Sequence, residues 1–487
     1  MALNDIRNER IKKLDAFEKS GVDPYPAEVG AHRPIGEIIK KFSVLARGKK
    51  KITVAGRVMA RREHGGSMFC DLKDESGKIQ LFFKEDVLDK DEYKTFSETA
   101  DVGDFVEVEG KAFKTKRGEP TIEITAWRML AKSLLPLPDK WHGLQDVEER
   151  FRRRYLDLIM NDEVRNRFSL RSAMIASIRS FLEKENFQEV ETPMLQPIAG
   201  GALARPFVTH HNALDADLYL RIAPELYLKR LLIGGFEKIY EIGRNFRNEG
   251  IDTTHNPEFT MLELYAAYWD EQDLMKFVEK MFAALCKATE KKYEITYQDA
   301  VIKCKAPFQR ISFRNLLKKY ALVVDYDSET RESLRLKAQR FGLEISAHEG
   351  KGKIADEIYK KICRPHVQEP TFVTEHPVDI SPLAKKKEGV KDTVRRFQLV
   401  VGGLEIMNGF AELNDPREQR TRFEEQAGMR GAGENEAHPF DEDFVEAMEY
   451  GMPPAAGLGI GIDRLVMLLT DAKNIREVVL FPTLRSR

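Results

Sequence analysis

Apolar and polar positions follow two different periods along this chain, and the switches between them mark its elements. Over residues 3–20, Leu3, Ile6, Ile11, Leu14 and Phe17 recur among charges at helical spacing. The run GVDPYP at 21–26 ends that helix. A second short helix is predicted around 35–42, before the basic run RGKKK at 47–51. From Ile52 the period becomes two. The stretches ITVAGRVMARRE, SMFCDLKDESGKIQLFF and DFVEVEGKAFKTKRGEPTIEITAWRML read as about five strands, broken at 65–66, 75–77 and 117–118. With a helical piece over 86–100, they predict a five-stranded OB-type β-barrel. Such barrels bind single-stranded nucleic acid through aromatic stacking beside cations, and Arg61, Arg62, Phe69, Phe82 and Phe83 offer both. At least one of Phe82 and Phe83 must fill the barrel instead.

Residues 133–142, with Pro136 and Pro138, predict a stiff boundary. The expected division is a helical segment over 1–50, the barrel over 51–135, a linker over 136–155 and a second domain over 156–487. That domain opens with charged helix and a long amphipathic helix over 167–186. FQEVETPML is then a strand ended by proline, and Gly200 and Gly201 open a flexible loop. Residues 270–395 alternate helices and short polar connections and are taken as an insertion. Mixed, largely antiparallel strands flanked by helices make the fold α+β.

Three stretches carry candidate chemistry. Residues 243–259, GRNFRNEGIDTTHNPEF, predict strand, polar loop and strand. Arg247 and Glu249 are two apart, so on a strand they share a face. A fixed cation beside a fixed carboxylate suits a ligand with anionic and cationic ends. GLEIMNGFAEL (403–413) holds Glu405 and Glu412. A hairpin turning at Asn408-Gly409 sets these carboxylates opposite each other, favourable only around a cation. A hairpin turning at Gly402-Gly403 instead makes Gln398 and Glu405 diagonal neighbours on one face. In GLGIGIDR the glycines alternate at 457, 459 and 461, leaving one strand face bare for a flat ring, with Arg464 at its end.

Composition narrows the class. A formal net charge of -1 gives no global field for nucleic acid, so such contact needs a local patch. No apolar run approaches the ~20 residues that span a bilayer, and the N-terminal stretch lacks the apolar core of a secretion signal. The four cysteines are scattered, as in a reduced, cytoplasmic protein. There is no phosphate loop of the GxxxxGK[ST] type, no HExxH zinc helix and no GxGxxG turn.

Taken in order, FQEVETP, FRNE and GLGIGIDR resemble the three motifs of class II aminoacyl-tRNA synthetases. RIAPELYLKR, NFRNEGI, HNPEFTMLELY, AELNDP and the barrel resemble lysyl-tRNA synthetases in particular, over nearly the whole chain. The resemblance implies an OB-fold anticodon-binding domain and a class II catalytic domain. It further implies ATP-dependent lysine activation, transfer to tRNA(Lys), a Mg²⁺ cofactor and a homodimer with no membrane association.

By resemblance Arg247, Glu249 and Arg464 are catalytic, and His255, Asn256, Phe259 and Glu405 join them in binding ATP. Phe259 would stack on adenine opposite Arg464. Glu405 would hold Mg²⁺. Gln398 stands where many relatives carry a carboxylate, so its share in the metal is open. The lysine pocket would be Gly201, Glu225, Arg247, Glu263, Tyr265, Asn408 and Glu412, with Glu225 and Gly201 on the α-amine and Glu263, Tyr265 and Glu412 on the ε-amine. The absence of Arg or Lys between Leu404 and Leu413 argues against an aspartate substrate. Arg62, Phe69, Gln80 and Glu119 match anticodon-reading positions. Two alternatives stand beside this: a tRNA-binding paralogue without aminoacylation, opposed by the intact Arg247, Glu249, Glu405 and Arg464, and lysyl transfer to another acceptor, opposed by the barrel and the lack of membrane spans.

Overall fold

The computed structural model describes residues 3–19, 21–138, 144, 146–291, 293–346, 349–431 and 439–485. The chain forms two compact units, split after residue 145. Residues 139–143 and 145, within the predicted linker, lie outside the described residues. From Val147–Arg152 onward the chain is already helical, with Phe151 buried, so the later part of the predicted linker is structured.

In the first unit, five strands close a barrel in the order Lys51–His64, Ser67–Lys73, Lys78–Lys84, Pro120–Ala131, Phe105–Lys114. Alternation does the folding here. Met68, Cys70 and Leu72 are buried while their neighbours are not, so one face of each strand fills the barrel. Helix Lys90–Thr99 adds Phe96, whose ring stacks on the fully buried Phe83 at 4.0 Å. Phe83 is therefore a core residue, and Phe82 is the one left outside. Arg61 is also committed to structure. Its guanidinium donates to the carbonyls of Ala100 and Ser97, both at 2.5 Å, and pairs with Glu63.

An eight-stranded sheet organises the second unit. Its order is Gln309–Ser312, Thr371–Thr374, Arg396–Val401, Leu404–Ala411, Ala455–Gly461, Glu258–Ala267, Lys238–Phe246, Gln188–Glu189. Every neighbouring pair is antiparallel except the outermost at each edge. One sheet face packs on helices Asp162–Lys184, Glu271–Ala288 and Ile462–Thr470, and this is the main core. Residues 270–395 supply two strands at one sheet edge and a core helix.

Two strand expectations change. FQEVETPML joins the main sheet only through Gln188–Glu189, and its last residue, Leu195, belongs with Gln196 to a separate three-stranded sheet, because Pro193 breaks the run between them. Strand Lys238–Phe246 ends before Arg247. Arg247 and Glu249 therefore lie on irregular chain, and strand alternation does not place them on one face. The hairpin turns at Gly402-Gly403, where both glycines have positive φ. A bulge at Ile406 brings Asn408, rather than Met407, opposite Gln398.

Candidate active site

Two central strands divide their side chains between core and cavity. On Glu258–Ala267, Leu262, Leu264 and Ala266 enter the core, whereas Phe259, Met261, Glu263 and Tyr265 line a cavity of about 570 Å³. On Ala455–Gly461, Ala456, Leu458 and Ile460 face the core, and Gly457, Gly459 and Gly461 line the cavity. This alternation spreads the site along the sheet. Phe259 and Glu263 are four strand residues apart, about 13 Å.

At the Phe259 end, the loop after Phe246 is pinned by hydrogen bonds. Arg247 N donates to Pro257 O at 2.8 Å. Asp252 Oδ1 accepts from the backbone of Thr254 and His255 at 2.6 and 2.8 Å. His255 Nδ1 lies 2.8 Å from Asp252 Oδ2, and its Nε2 accepts from Arg464 Nη2 at 2.8 Å. Burial, then the Arg464 charge, lowers the His255 pKa, so this ring stays neutral with its proton on Nδ1. The Arg247 guanidinium lies 5.1 Å from the Phe259 ring centroid. Its buried Nε has no hydrogen-bond partner in the structure, and neither has Asn256 Oδ1. Glu249 and Arg464 complete this end.

The opposite end is a cluster of buried carboxylates. Glu225 starts helix Glu225–Ile233, Glu263 comes from the central strand, and Glu412 follows strand Leu404–Ala411. Tyr265 donates to Glu263 Oε2 at 3.0 Å. Lys229, with 0% exposure, places its ammonium 2.7 Å from Glu225 Oε1 and 2.5 Å from Glu412 Oε2. The Glu412 contact is an ion pair, and Glu412 Oε1 has no hydrogen-bond partner among the described residues. Burial pushes the Glu263 and Glu412 carboxyls up to about 8, with neighbouring carboxylates adding to it. Burial acts against the Lys229 charge, but Glu225 and Glu412 outweigh it and raise its pKa.

Two glycines are required here by space. A Cβ on Gly457 would sit 2.2 Å from Glu412 Oε1 and 2.4 Å from Tyr265. One on Gly201, at φ +88°, would meet Glu225 Cβ at 2.9 Å. The bare glycine face is thus largely occupied by the chain's own side chains: Gly457 lies under Glu412 and Tyr265, and Gly459 under Met261. It is not the open floor for a ring that the sequence pattern suggests.

Glu405 lines the cavity with Arg364 at 3.5 Å. Its diagonal neighbour Gln398 is buried, and Gln398 Oε1 accepts from the Tyr359 hydroxyl at 3.0 Å. Among the described residues no three His, Cys, Asp or Glu side chains gather as a metal cage. Glu405, with Asp356 and Glu357 on the same cavity wall, fits Mg²⁺, which commonly takes one or two protein carboxylates with the rest of its shell from phosphates and water.

Comparison with known proteins bears on what this cavity serves. Residues 146–485 match the family model for class II tRNA synthetases (D, K and N), and residues 52–130 match an OB-fold nucleic acid binding domain. The chain is 49% identical to lysine–tRNA ligase of Carboxydothermus hydrogenoformans over 487 residues, covering 100% of this chain and 99% of that one. It is 49% identical to the lysine–tRNA ligase of Moorella thermoacetica with the same coverage, and 46% identical to that of Citrobacter koseri, covering 99% and 97%. The chain belongs to the lysine–tRNA ligase family of class II tRNA synthetases. The fold expected from the motifs, an OB domain and a mainly antiparallel catalytic sheet, is the one found.

For a class II synthetase of this family the structure gathers Gly201, Glu225, Arg247, Glu249, His255, Asn256, Phe259, Glu263, Tyr265, Gln398, Glu405, Asn408 and Arg464 around one cavity, with Glu412 at its Gly457 wall. It also adds cations that sequence analysis missed. Lys229 meets Glu412, and Arg396 donates to Asn408 Oδ1 at 2.9 Å. No Arg or Lys lies between Leu404 and Leu413, as read, but two cations reach this end from elsewhere in the chain, one from a helix and one across the hairpin. Lys229 had a signal, since Glu225 and Lys229 are spaced i,i+4 on a helix. That pattern normally marks a solvated pair, and its burial was not legible. Residues 353–364 add Lys353, Lys360 and Arg364 to the cavity wall.

On the barrel, Arg62 pairs with Phe69, Phe69 with Phe82, and Asp71 with Gln80 across adjacent strands. The Phe69 and Phe82 rings are 4.7 Å apart and half-buried. Gln80 Oε1 accepts from Thr121 at 3.0 Å, Arg62 reaches Asp71 at 3.5 Å, and Glu119 is exposed in the turn before Pro120–Ala131. This outer face carries aromatic planes beside polar edges, the arrangement that single-stranded bases stack on.

Proposed function

We infer that the protein attaches L-lysine to tRNA(Lys) in two steps. A lysine carboxylate oxygen attacks the α-phosphorus of ATP, the bond to the bridging oxygen breaks, and pyrophosphate leaves lysyl-adenylate. A terminal ribose hydroxyl of the tRNA then attacks the lysyl carbonyl, and AMP leaves. The observation that carries this reading is buried Glu225 and Glu263, backed by Glu412 against the Gly457 wall, sharing one cavity with Arg247, Phe259 and Arg464.

In this reading Arg247 spans the lysine carboxylate and the α-phosphate. Its planar fork suits both, and its unpaired Nε supports such a ligand. Phe259 and Arg464 sandwich adenine, with Glu249, His255 and Asn256 completing ATP contact. Glu225 and Gly201 take the α-amine, while Glu263, Tyr265, Asn408 and Glu412 form the side-chain end. No protein nucleophile is needed; the chain orients reactants and stabilises charge. Mg²⁺ carried on ATP would neutralise phosphate charge, with Glu405 as its protein ligand. Gln398, whose oxygen already accepts from Tyr359, orients that wall. Family membership supports a homodimer, and four free, buried cysteines support a reducing cytoplasm. No helix among the described residues is long and apolar enough to cross a membrane.

The barrel reads the anticodon through Arg62, Phe69, Gln80 and Glu119 in this account. Phe69→Ala is expected to lower kcat/KM for tRNA charging about 10-fold, the worth of one stacked base, and to leave lysine-dependent ATP–pyrophosphate exchange unchanged. Measuring both on one preparation tests it. Equal loss in both assays would overturn the assignment of tRNA reading to this face, and absence of charging in the unsubstituted protein would overturn the function itself.

A further inference from the structure

When Glu225, Glu263 and Glu412 are all ionised to receive a cationic substrate they carry three negative charges, and Lys229 supplies one positive charge from within the protein. Ionised Glu225, Glu263 and Glu412 with Lys229 leave a net charge of -2. Lysine brings two ammonium groups to that end, and Arg247 stands near the place of its carboxylate in the functional reading above, on which this inference rests. Lys229 is fully buried and touches two of the three carboxylates, at 2.7 and 2.5 Å. Its ammonium also lies 5.4 Å from the Phe410 ring centroid. Glu263, by contrast, accepts from the Tyr265 hydroxyl and has no ion-pair partner among the described residues.

We propose that Lys229 is a specificity-determining positioning residue: its ammonium ties Glu225 to Glu412 and sets the pocket charge to match a substrate with two ammonium groups. An amino acid with a neutral side chain leaves one buried carboxylate uncompensated, which a low-dielectric site penalises heavily. Without Lys229, three carboxylates face one another with no internal cation, and repulsion makes them give up their protons less readily to admit an incoming ammonium. The site then meets the ε-ammonium with a neutral acid.

The test is a double-substitution cycle on the full chain, read by lysine-dependent ATP–pyrophosphate exchange, with norleucine as the neutral side-chain competitor. Lys229→Met is expected to raise the lysine KM about 30-fold, the loss of one charge-assisted contact. The ATP KM should stay within about threefold, and the preference for lysine over norleucine should fall. Glu412→Gln alone leaves the pocket at -1 and also raises the lysine KM. The pair Lys229→Met with Glu412→Gln restores -2, so its lysine KM is expected below that of either single variant. If Lys229→Met does not fold, the double variant against Glu412→Gln alone still decides the matter. Additive losses, or lysine and ATP KM rising together, would reduce Lys229 to a purely structural role and overturn the proposal. Absence of lysine-dependent exchange in the unsubstituted protein would instead overturn the functional reading beneath it.

Discussion

Arg247→Ala is expected to lower kcat/KM for lysine-dependent pyrophosphate exchange by about 10³-fold, close to 4 kcal/mol of transition-state stabilisation. The reason is geometric as well as electrostatic. The Arg247 backbone is held by Pro257 O at 2.8 Å, its guanidinium lies 5.1 Å from the Phe259 centroid, and its buried Nε is unpaired. A planar cation so placed is ready to donate to a carboxylate and a phosphate together. Charge grows on the phosphoryl oxygens as the carboxylate attacks, so the loss should fall on kcat as well as on KM. Arg247→Lys keeps the charge without the fork and is expected to recover only a small part. The fold should survive either change, because the described structure gives the side chain no ion pair to lose; circular dichroism and thermal melting check this. Unchanged exchange in Arg247→Ala would remove this residue from the reaction.

Glu263→Gln is expected to reduce kcat/KM for lysine by about 10²- to 10³-fold, chiefly through KM, with the ATP KM nearly constant. Glu225 and Glu412 share the Lys229 ammonium, whereas Glu263 is left to meet an incoming cation. The substitution keeps the shape and the Tyr265 contact but removes the charge. The pH dependence carries a sign that checks the same residue. Burial raises the Glu263 and Glu412 carboxyls from 4.5 to about 8 in the ligand-free site. Below that range a proton must leave before an ammonium can bind, so the lysine KM should fall as pH rises from about 6.5 to 8.5. Glu263→Gln should flatten the slope by about one proton. Stability runs the other way: between pH 4.5 and about 8 the folded site holds protons that the unfolded chain has lost. The ligand-free protein is therefore expected to melt lower as pH rises through that window, and saturating lysine should restore it.

Much of this was legible in the sequence, and the misses have physical causes. Period-two runs placed all five barrel strands, and the alternating glycines at 457, 459 and 461 placed the floor strand. Motif order placed both domains and the family. What escaped was long-range geometry. Arg61 reads as a nucleic-acid cation, yet it binds the carbonyls at the end of helix Lys90–Thr99. Arg247 and Glu249 read as one strand face, yet the strand stops at Phe246. The hairpin's bulge at Ile406 leaves no pattern in the residues, and only it brings Asn408 opposite Gln398. A window along strand Leu404–Ala411 finds no cation, since Lys229 and Arg396 reach that end from a helix and a neighbouring strand. Residues 270–395 read as an insertion because they alternate helices and short polar connections, which hides their strands. Their place at the sheet edge depends on partners elsewhere in the chain.

ATP–pyrophosphate exchange measured separately with each of the twenty amino acids tests the central claim most directly. Rapid exchange is expected with lysine alone, with arginine and the neutral side chains at least about 10²-fold slower in kcat/KM. Exchange driven equally well by aspartate or asparagine, or by no amino acid at all, would contradict it.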